Sequence, residues 1–403
     1  MVRDFYERYP YPRPVESLDG YRLRWQEPNR RRADFHLFWP DKPYSEKHSV
    51  LIAGCGTSQA AKHAARCPAT RVVGIDFSAT SVRHTNELRR KYDLSNLEVH
   101  QLPIERVGEL AESFDEIVCT GVLHHLGNPD VALKALRDVL RPRGALHLMV
   151  YAPYGRAGIY LLQDFCRRLG IRATDAEIRD LVVALSSLPA GHPLARLLRE
   201  APDFRQEAAL ADALLHPQDH AYSVPEFLDF VSAAGLSFDR WVRQAPYSPS
   251  CGVMAQLPQA PRLQALEPAQ QFAAAELFRG TMMSHSAIVH RNDCPGDSRA
   301  TDFSEDAWLE FVPVRLPDTL CIQERLPAGA AAVLINRAHV HTDIYLAINS
   351  GEKRMFDAID GELTLGDIAG GQDDACRSLF KRLWWHDQVV FDESRLQQRG
   401  VNP

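Results

Sequence analysis

Residues 49–59 read SVLIAGCGTSQ, an apolar run from Val50 to Ala53 that breaks into a turn carrying Gly54 and Gly56. A short run that is continuously apolar predicts a parallel strand buried on both faces. Glycines at the next positions let the backbone turn tightly and approach a ligand. From Gln59 to Arg66 the chain is helix-compatible, so the turn joins a strand to a helix whose first amide groups are free to receive an anion. A second apolar run from Arg71 ends at Asp76, twenty-two positions after Gly54, where a carboxylate can accept hydrogen bonds from both hydroxyls of a ribose. The stretch therefore predicts a nucleotide-type cofactor. A nicotinamide dinucleotide fits less well, because its fingerprint places a third glycine where Gln59 stands.

Downstream, FDEIVCT (114–120) predicts another strand and GVLHHL (121–126) its exit at the cofactor edge. Ala132–Leu140 has an amphipathic helical pattern, and 145–151 predicts a fifth strand. Alternating strands and helices from Ser49 to Tyr151 indicate a parallel sheet with helices on both faces. LIAGCGT, VVGIDFS, FDEIVCTGVLHHL and LRDVLRPRGALHLMVY, in that order, resemble the class I S-adenosylmethionine-dependent methyltransferases, especially the branch acting on small molecules and quinones. The resemblance runs from about Tyr44 to Leu257 and implies a Rossmann-like α/β sheet with S-adenosylmethionine as cofactor. It places Gly54, Cys55 and Gly56 beside the methionine part, Asp76 on the ribose, and Phe77 against the adenine. Thr120, Gly121 and Val122 then close the pocket over the sulfonium. The family's acidic residue at the end of the third strand is replaced in LEVHQLPIERV by Leu102 and Pro103. Main-chain groups of Leu102 and Ile104 are the expected substitute, since a carbonyl accepts the same amino hydrogen.

At 403 residues the chain is long enough for about two to three domains, and a hydrophobic content of 45% with 24% charged residues is ordinary for a globular protein. A net charge of −6 offers no field to gather nucleic acid, so a small-molecule or protein partner is expected. The eight cysteines are scattered with no C-x-x-C pair, which argues against a zinc ribbon or a secreted disulfide scaffold. With no signal-like apolar core at the start, and no run approaching the roughly 18 apolar residues of a membrane span, a cytoplasmic protein is expected.

Residues 1–48, rich in Tyr, Pro and Arg, predict an arm without a long regular element. Tyr6, Tyr9 and Tyr11 either anchor it on the domain surface or reach the cofactor entrance, where a sulfonium favours aromatic faces. Arg30, Arg31 and Arg32 read as a solvated loop. The methyltransferase domain is expected over 49–257, with helical patterns at 155–216 forming an insertion at the ligand-bearing edge: a cap over the acceptor, or a packing or dimerisation element. A helix and strand follow in YSVPEFLDFVSAAGLSFDRWVRQAP, and CGVMAQL (251–257) reads as the last strand. A connecting helix is expected over 258–284 and an α+β domain over 285–403. The end of that domain (MFDAIDGELTLGDIAG, ACRSLFKRLWWHDQVVF) resembles winged-helix peptide chaperones of the pyrroloquinoline quinone pathway. Glu362, Asp367, Asp373, Asp374 and Asp387 make a peptide partner more natural there than DNA.

Methyl transfer is an in-line displacement at a carbon already activated by the sulfonium, so positioning supplies much of the rate. A base is needed only where the nucleophile must lose a proton. His124 and His125, which follow the fourth strand, are the candidate bases, against a structural role in capping or packing. Tyr151 and Tyr154, after the fifth strand, are alternatives for orienting the acceptor. His339 and His341, spaced H-x-H, read as a polar strand face, and no metal is expected. The leading reading is a methyltransferase acting on a small metabolite or natural-product intermediate. The alternatives are a protein or peptide methyltransferase served by the C-terminal module, a non-catalytic binding protein, and, most distant, a dehydrogenase.

Overall fold

The computed structural model describes residues 14–200, 207–294 and 301–399, and the chain divides into two compact units. The first holds the sheet apart from residues 239–241 at the end of its edge strand. Strands β1 (Ser49–Ala53), β2 (Arg71–Asp76), β3 (Leu97–Gln101), β4 (Phe114–Thr120), β5 (Leu140–Tyr151), β6 (Leu236–Trp241) and β7 (Ser284–Arg291) lie in the order β3-β2-β1-β4-β5-β7-β6. The apolar run that opens the fold is its centre: Leu51, Ile52 and Ala53 are fully buried, with β2 on one side and β4 on the other, both parallel. Strand order reverses between β1 and β4, and a crevice opens outside the carboxyl ends of strands at such a point.

Capping explains where two flanking helices begin. Ser78 Oγ accepts from the Ser81 amide at the start of Ala79–Lys91, and Asn128 caps Pro129–Val139, whose first residue is a proline that has no amide to lose. Helices Ala157–Leu169, Asp175–Ser186, Pro193–Glu200 and Glu207–Leu215 form the insertion after β5. Their apolar stripes meet in a cluster of their own that includes Ile159, Leu162, Leu181, Leu194, Leu210 and Leu214. Arg156, Ala209, Asp212 and Ala213 of this insertion line the cavity over the sheet edge.

The last strand differs from the sequence expectation. CGVMAQL forms a 3-10 turn, Gly252–Gln256, in which Gly252 takes a φ of +62° and the Val253 amide donates to Asp343. The strand that completes the sheet is Ser284–Arg291, antiparallel to β5 with Leu146 opposite Val289 and Tyr151 opposite Ser284. Boundaries at 257 and 285 therefore leave this strand outside the domain whose sheet it completes.

The second unit gathers residues 23–46, 239–278 and 294–403. Its N-terminal part is helical, against expectation: Pro28–Phe38 is an eleven-residue helix with Pro28 in its first turn. Proline at that position starts a helix instead of breaking one. Arg31 and Arg32 on this helix are engaged, Arg31 with Glu46 at 2.7 Å and Arg32 with Asp392 at 2.9 Å, so the Arg30–Arg32 run is no solvated loop.

Strands β9 (Thr319–Ile322), β10 (Ala332–Asn336) and β11 (Leu346–Ile348) make an antiparallel sheet, and β8 (Val312–Arg315) pairs with β12 (Val389–Asp392). Helices Ser350–Asp357 and Leu365–Ala369 each open with a capping box, Asn349 with Glu352 and Thr364 with Asp367. Helix Asp373–Trp385 packs Leu379, Phe380 and Leu383 onto the core with Phe391. Two of the acidic residues read as a partner surface are structural. Asp367 closes a capping box, and Asp387 is fully buried, accepting from the Gln244 and Ala245 amides at 3.1 and 3.0 Å. His339 and His341 lie past the end of β10, in the loop before β11, and not on a strand face.

Candidate functional site

A cavity of about 820 Å³ opens at the carboxyl ends of β1, β2, β4 and β5, wholly within the first unit. Its floor is the glycine turn. The amides of Gly54 and Cys55 both donate to the Ile75 carbonyl at 2.9 Å, which ties the turn to the end of β2. Gly54 and Gly56 have φ of +69° and +54°, a region that costs a side-chain-bearing residue about 1–2 kcal/mol. Beyond that cost, a Cβ at Gly54 would stand 2.5 Å from Val122 Cγ2. Asp76, at the tip of β2, is 7% exposed, and its carboxylate accepts the Gly56 amide at 2.8 Å and the Ser78 amide at 2.9 Å. A carboxylate offers about four lone-pair sites, so these bonds orient it without exhausting it for a ribose.

Gln59, which stands where a dinucleotide site has glycine, donates to Thr120 Oγ1 at 2.8 Å and so bridges the first helix to the end of β4. Burial, with Asp76 close by, pushes the Cys55 thiol well above its ordinary range, so it stays protonated. The Leu102 amide is spent on the Asp76 carbonyl at 2.9 Å, which leaves the Leu102 carbonyl, beside Ile104, for an adenine. Glu105 lines this wall too, a few residues past the end of β3. It is the second residue of the 3-10 helix Ile104–Leu110 and the acidic side chain nearest in sequence to Leu102 and Pro103 on this wall.

The other end of the cavity is walled by β5 and the insertion. Tyr151, the last residue of β5, is clamped. His124 stacks on its ring at 3.7 Å with 30° between planes, and the Arg156 guanidinium lies 3.4 Å from the ring centroid. Arg156 also donates to Tyr160 Oη at 3.2 Å and lies 3.4 Å from Asp219. A cation over a tyrosine face in a desolvated site contributes on the order of 2 kcal/mol, which makes this a stiff wall.

His125 lines the cavity, and its Nδ1–H donates to the Gln218 carbonyl at 2.9 Å, so its lone pair is on Nε2. His216 lies against it at 3.9 Å between centroids, and its Nδ1 accepts the Gln218 amide at 3.1 Å. Burial holds both rings neutral, lowering His125 to about 4 and, with His125 adding to it, His216 to about 3. His124 is also pushed well below its ordinary value by burial, then by His125 and Arg156.

The structure thus brings Gly54, Cys55, Gly56, Asp76, Phe77, Leu102, Ile104, Thr120, Gly121 and Val122 to one cavity, with His125 and Tyr151 at its far end. His124 is not on its wall and buttresses Tyr151 from behind. Tyr154 is 43% exposed and lies off the cavity. Tyr6, Tyr9 and Tyr11 fall outside the described residues; among the described residues Tyr21 of the N-terminal segment lines the cavity. Arg156, Asp212 and Gln218 were missed as wall residues: Asp212 sits in text whose only signal is helical periodicity, and Arg156 and Gln218 lie in the loops on either side of the insertion's helices.

Residues 51–146 match the family model described as a methyltransferase domain. An uncharacterized protein of Synechococcus sp. is 30% identical over 335 residues, covering 78% of this chain and 76% of its own. The trans-aconitate 2-methyltransferase of Deinococcus radiodurans is 33% identical over 130 residues, 32% of this chain and 46% of that enzyme. The ubiquinone biosynthesis O-methyltransferase of Acinetobacter baylyi is 23% identical over 142 residues, 33% of this chain and 59% of that enzyme. The chain thus spans about half the length of these two enzymes. In fold it is similar to PKMT2 from Rickettsia typhi in complex with AdoHcy, with a TM-score of 0.63 at 16% identity over 91% of this chain and 75% of that one. A methyltransferase model on the glycine-turn half of the sheet, and a relative matched along three quarters of both chains, agree with the cavity built above: this chain belongs to the family of the Synechococcus protein and is a class I S-adenosylmethionine-dependent methyltransferase.

Proposed function

We propose that the protein moves the methyl group of S-adenosylmethionine to a small metabolite or natural-product intermediate bound under the cap of residues 155–216. The observation that carries this reading is the cavity itself. One space of about 820 Å³ is lined by Gly54 and Asp76 as well as by His125, Tyr151 and Asp212, within the range of about 300–1,000 Å³ typical of small-molecule sites. Cofactor and acceptor then share a volume in which the methyl carbon and a nucleophile can be held in line. His125 and Tyr151 contact and orient the acceptor, and His124 is a positioning residue acting through Tyr151.

A protein or peptide acceptor delivered by residues 285–403 is supported less, because Asp387 is buried and Asp367 closes a capping box. None of the eight cysteines is in a disulfide, which suits a reducing compartment such as the cytoplasm, and among the described residues no helix is long and apolar enough to cross a membrane.

The test is a transfer assay with methyl-labelled S-adenosylmethionine, full-length protein and a fractionated cell extract. Label is expected in a low-molecular-mass fraction and to disappear with Tyr151→Ala. Label only in protein or peptide fractions would refute the small-molecule reading.

A further inference from the structure

Asp212 and His216 are four residues apart, at the end of the helix Glu207–Leu215 and just after it, a spacing that puts two side chains on one helical face. They meet His125, which arrives from the turn after β4. One ligand atom from each of the three lies within 4.8 Å of the other two, and no residue of the set is more than 8% exposed. We propose that His125, Asp212 and His216 form a binding site for one divalent first-row transition-metal ion in the acceptor end of the cavity.

The ligand set favours such an ion over magnesium or calcium, because two of the three donors are imidazoles. An ion at about 2.0–2.2 Å from nitrogen and oxygen ligands holds them roughly 3–4 Å apart, so loading asks only a small contraction. His125 is already oriented as a ligand: its Nδ1–H is fixed on the Gln218 carbonyl, which leaves Nε2 as the donor atom, the backbone-carbonyl support that ligating histidines commonly have.

His216 is set differently. Its Nδ1 accepts the Gln218 amide, so ligation through Nε2 exchanges that contact for a proton on Nδ1. His125 is therefore set as a ligand, and His216 adjusts within the turn 216–218. Arg156 is the nearby cation that would oppose an ion, and its guanidinium is held over Tyr151 and beside Asp219. His125 and Asp212 line the cavity, so an ion between them would leave a coordination position open to the acceptor. That consequence rests on the acceptor reading proposed above, whereas the metal site itself does not. It would select acceptors bearing an oxygen or nitrogen ligand next to the methylated atom.

The experiment uses chelator-treated, full-length protein titrated with cobalt(II), followed by its visible ligand-field absorption, with zinc(II) as competitor. One equivalent is expected to bind, zinc to displace it, and Asp212→Asn and His125→Gln each to weaken it by about 100-fold or more. S-adenosylhomocysteine binding by the same variants, measured by calorimetry, reports that they are folded and that the cofactor end is intact. His216→Gln, further from the cavity, is a second variant expected to weaken cobalt by at least tenfold. Absence of a saturable cobalt spectrum in the wild type, or a cobalt affinity unchanged in folded Asp212→Asn and His125→Gln, would overturn the proposal. Either result would leave the methyl-transfer assay to decide the function on its own.

Discussion

The two ends of the cavity are built on different principles. At the cofactor end the contacts come from the main chain and from residues at strand tips: the Gly54–Gly56 turn tied to Ile75, and Asp76 held by two amides. Where β5 meets the insertion they come from side chains that distant segments bring together, with Tyr151 between His124 and Arg156 and His125 beside His216. A backbone-built wall leaves little room for variation, whereas a side-chain wall can be rebuilt by changing an insertion. One fold can therefore keep its cofactor while changing its acceptor.

The largest effect should come from the backbone end. Gly54→Ala puts a Cβ into Val122 at a left-handed φ, and S-adenosylhomocysteine affinity should fall by about 100-fold or more, or the protein should fail to fold. Calorimetry with a circular-dichroism control reads it, and near-normal affinity would show that the turn has slack. Next, Asp76→Ala removes charge-assisted hydrogen bonds of about 1.5–3 kcal/mol each and should weaken the cofactor at least tens-fold. An unchanged dissociation constant in the folded variant would take the ribose away from β2.

At the side-chain end, His124→Ala should lower kcat about tenfold by loosening Tyr151, with cofactor affinity within threefold. His124→Phe keeps a ring against Tyr151 and should recover most of the loss. A phenylalanine variant as dead as the alanine one would instead make His124 chemically active.

The smallest effect on the site is expected from Glu393, in the other unit. Burial, then the nearby Asp41 and Asp239, raises its pKa from the ordinary 4.5 to about 7. A carboxyl raised on folding adds stability that is complete below about pH 4.5 and is lost as pH rises through about 7. The span amounts to at most about 3 kcal/mol, less because the side chain keeps some solvent contact. Glu393→Gln should flatten denaturant midpoints across that window and leave methyl transfer unchanged. A wild-type midpoint that rises with pH there would contradict the assignment.

What was legible in the sequence follows the same division. A parallel strand, its glycine turn and the acid at the next strand tip are local features, so Val50 to Asp76 could be read directly, and even the substitution of Gln59 turned out to mark a real bond to Thr120. Contacts between remote segments leave no such mark. Gln218 holds two histidines through its own peptide groups, whatever its side chain, and Arg156 looked like one more arginine before a helix. His124 and His125 were a single motif on paper, yet one faces the cavity and the other stacks behind Tyr151, because a 3-10 turn, Leu123–His125, points consecutive residues in different directions. The last strand was misplaced for a different reason: the chain leaves the sheet after β6 and returns only at Ser284, an excursion that no local pattern announces.

The most direct test of this division is a calorimetric titration of S-adenosylhomocysteine into the wild type, Asp76→Ala and His125→Ala, run side by side. The expected result is one saturable site in the wild type, tens-fold weaker binding or none in Asp76→Ala, and a dissociation constant within about threefold of wild type in His125→Ala. Equal loss in both variants, or loss in His125→Ala alone, would contradict the separation of a backbone-built cofactor end from a side-chain-built acceptor end.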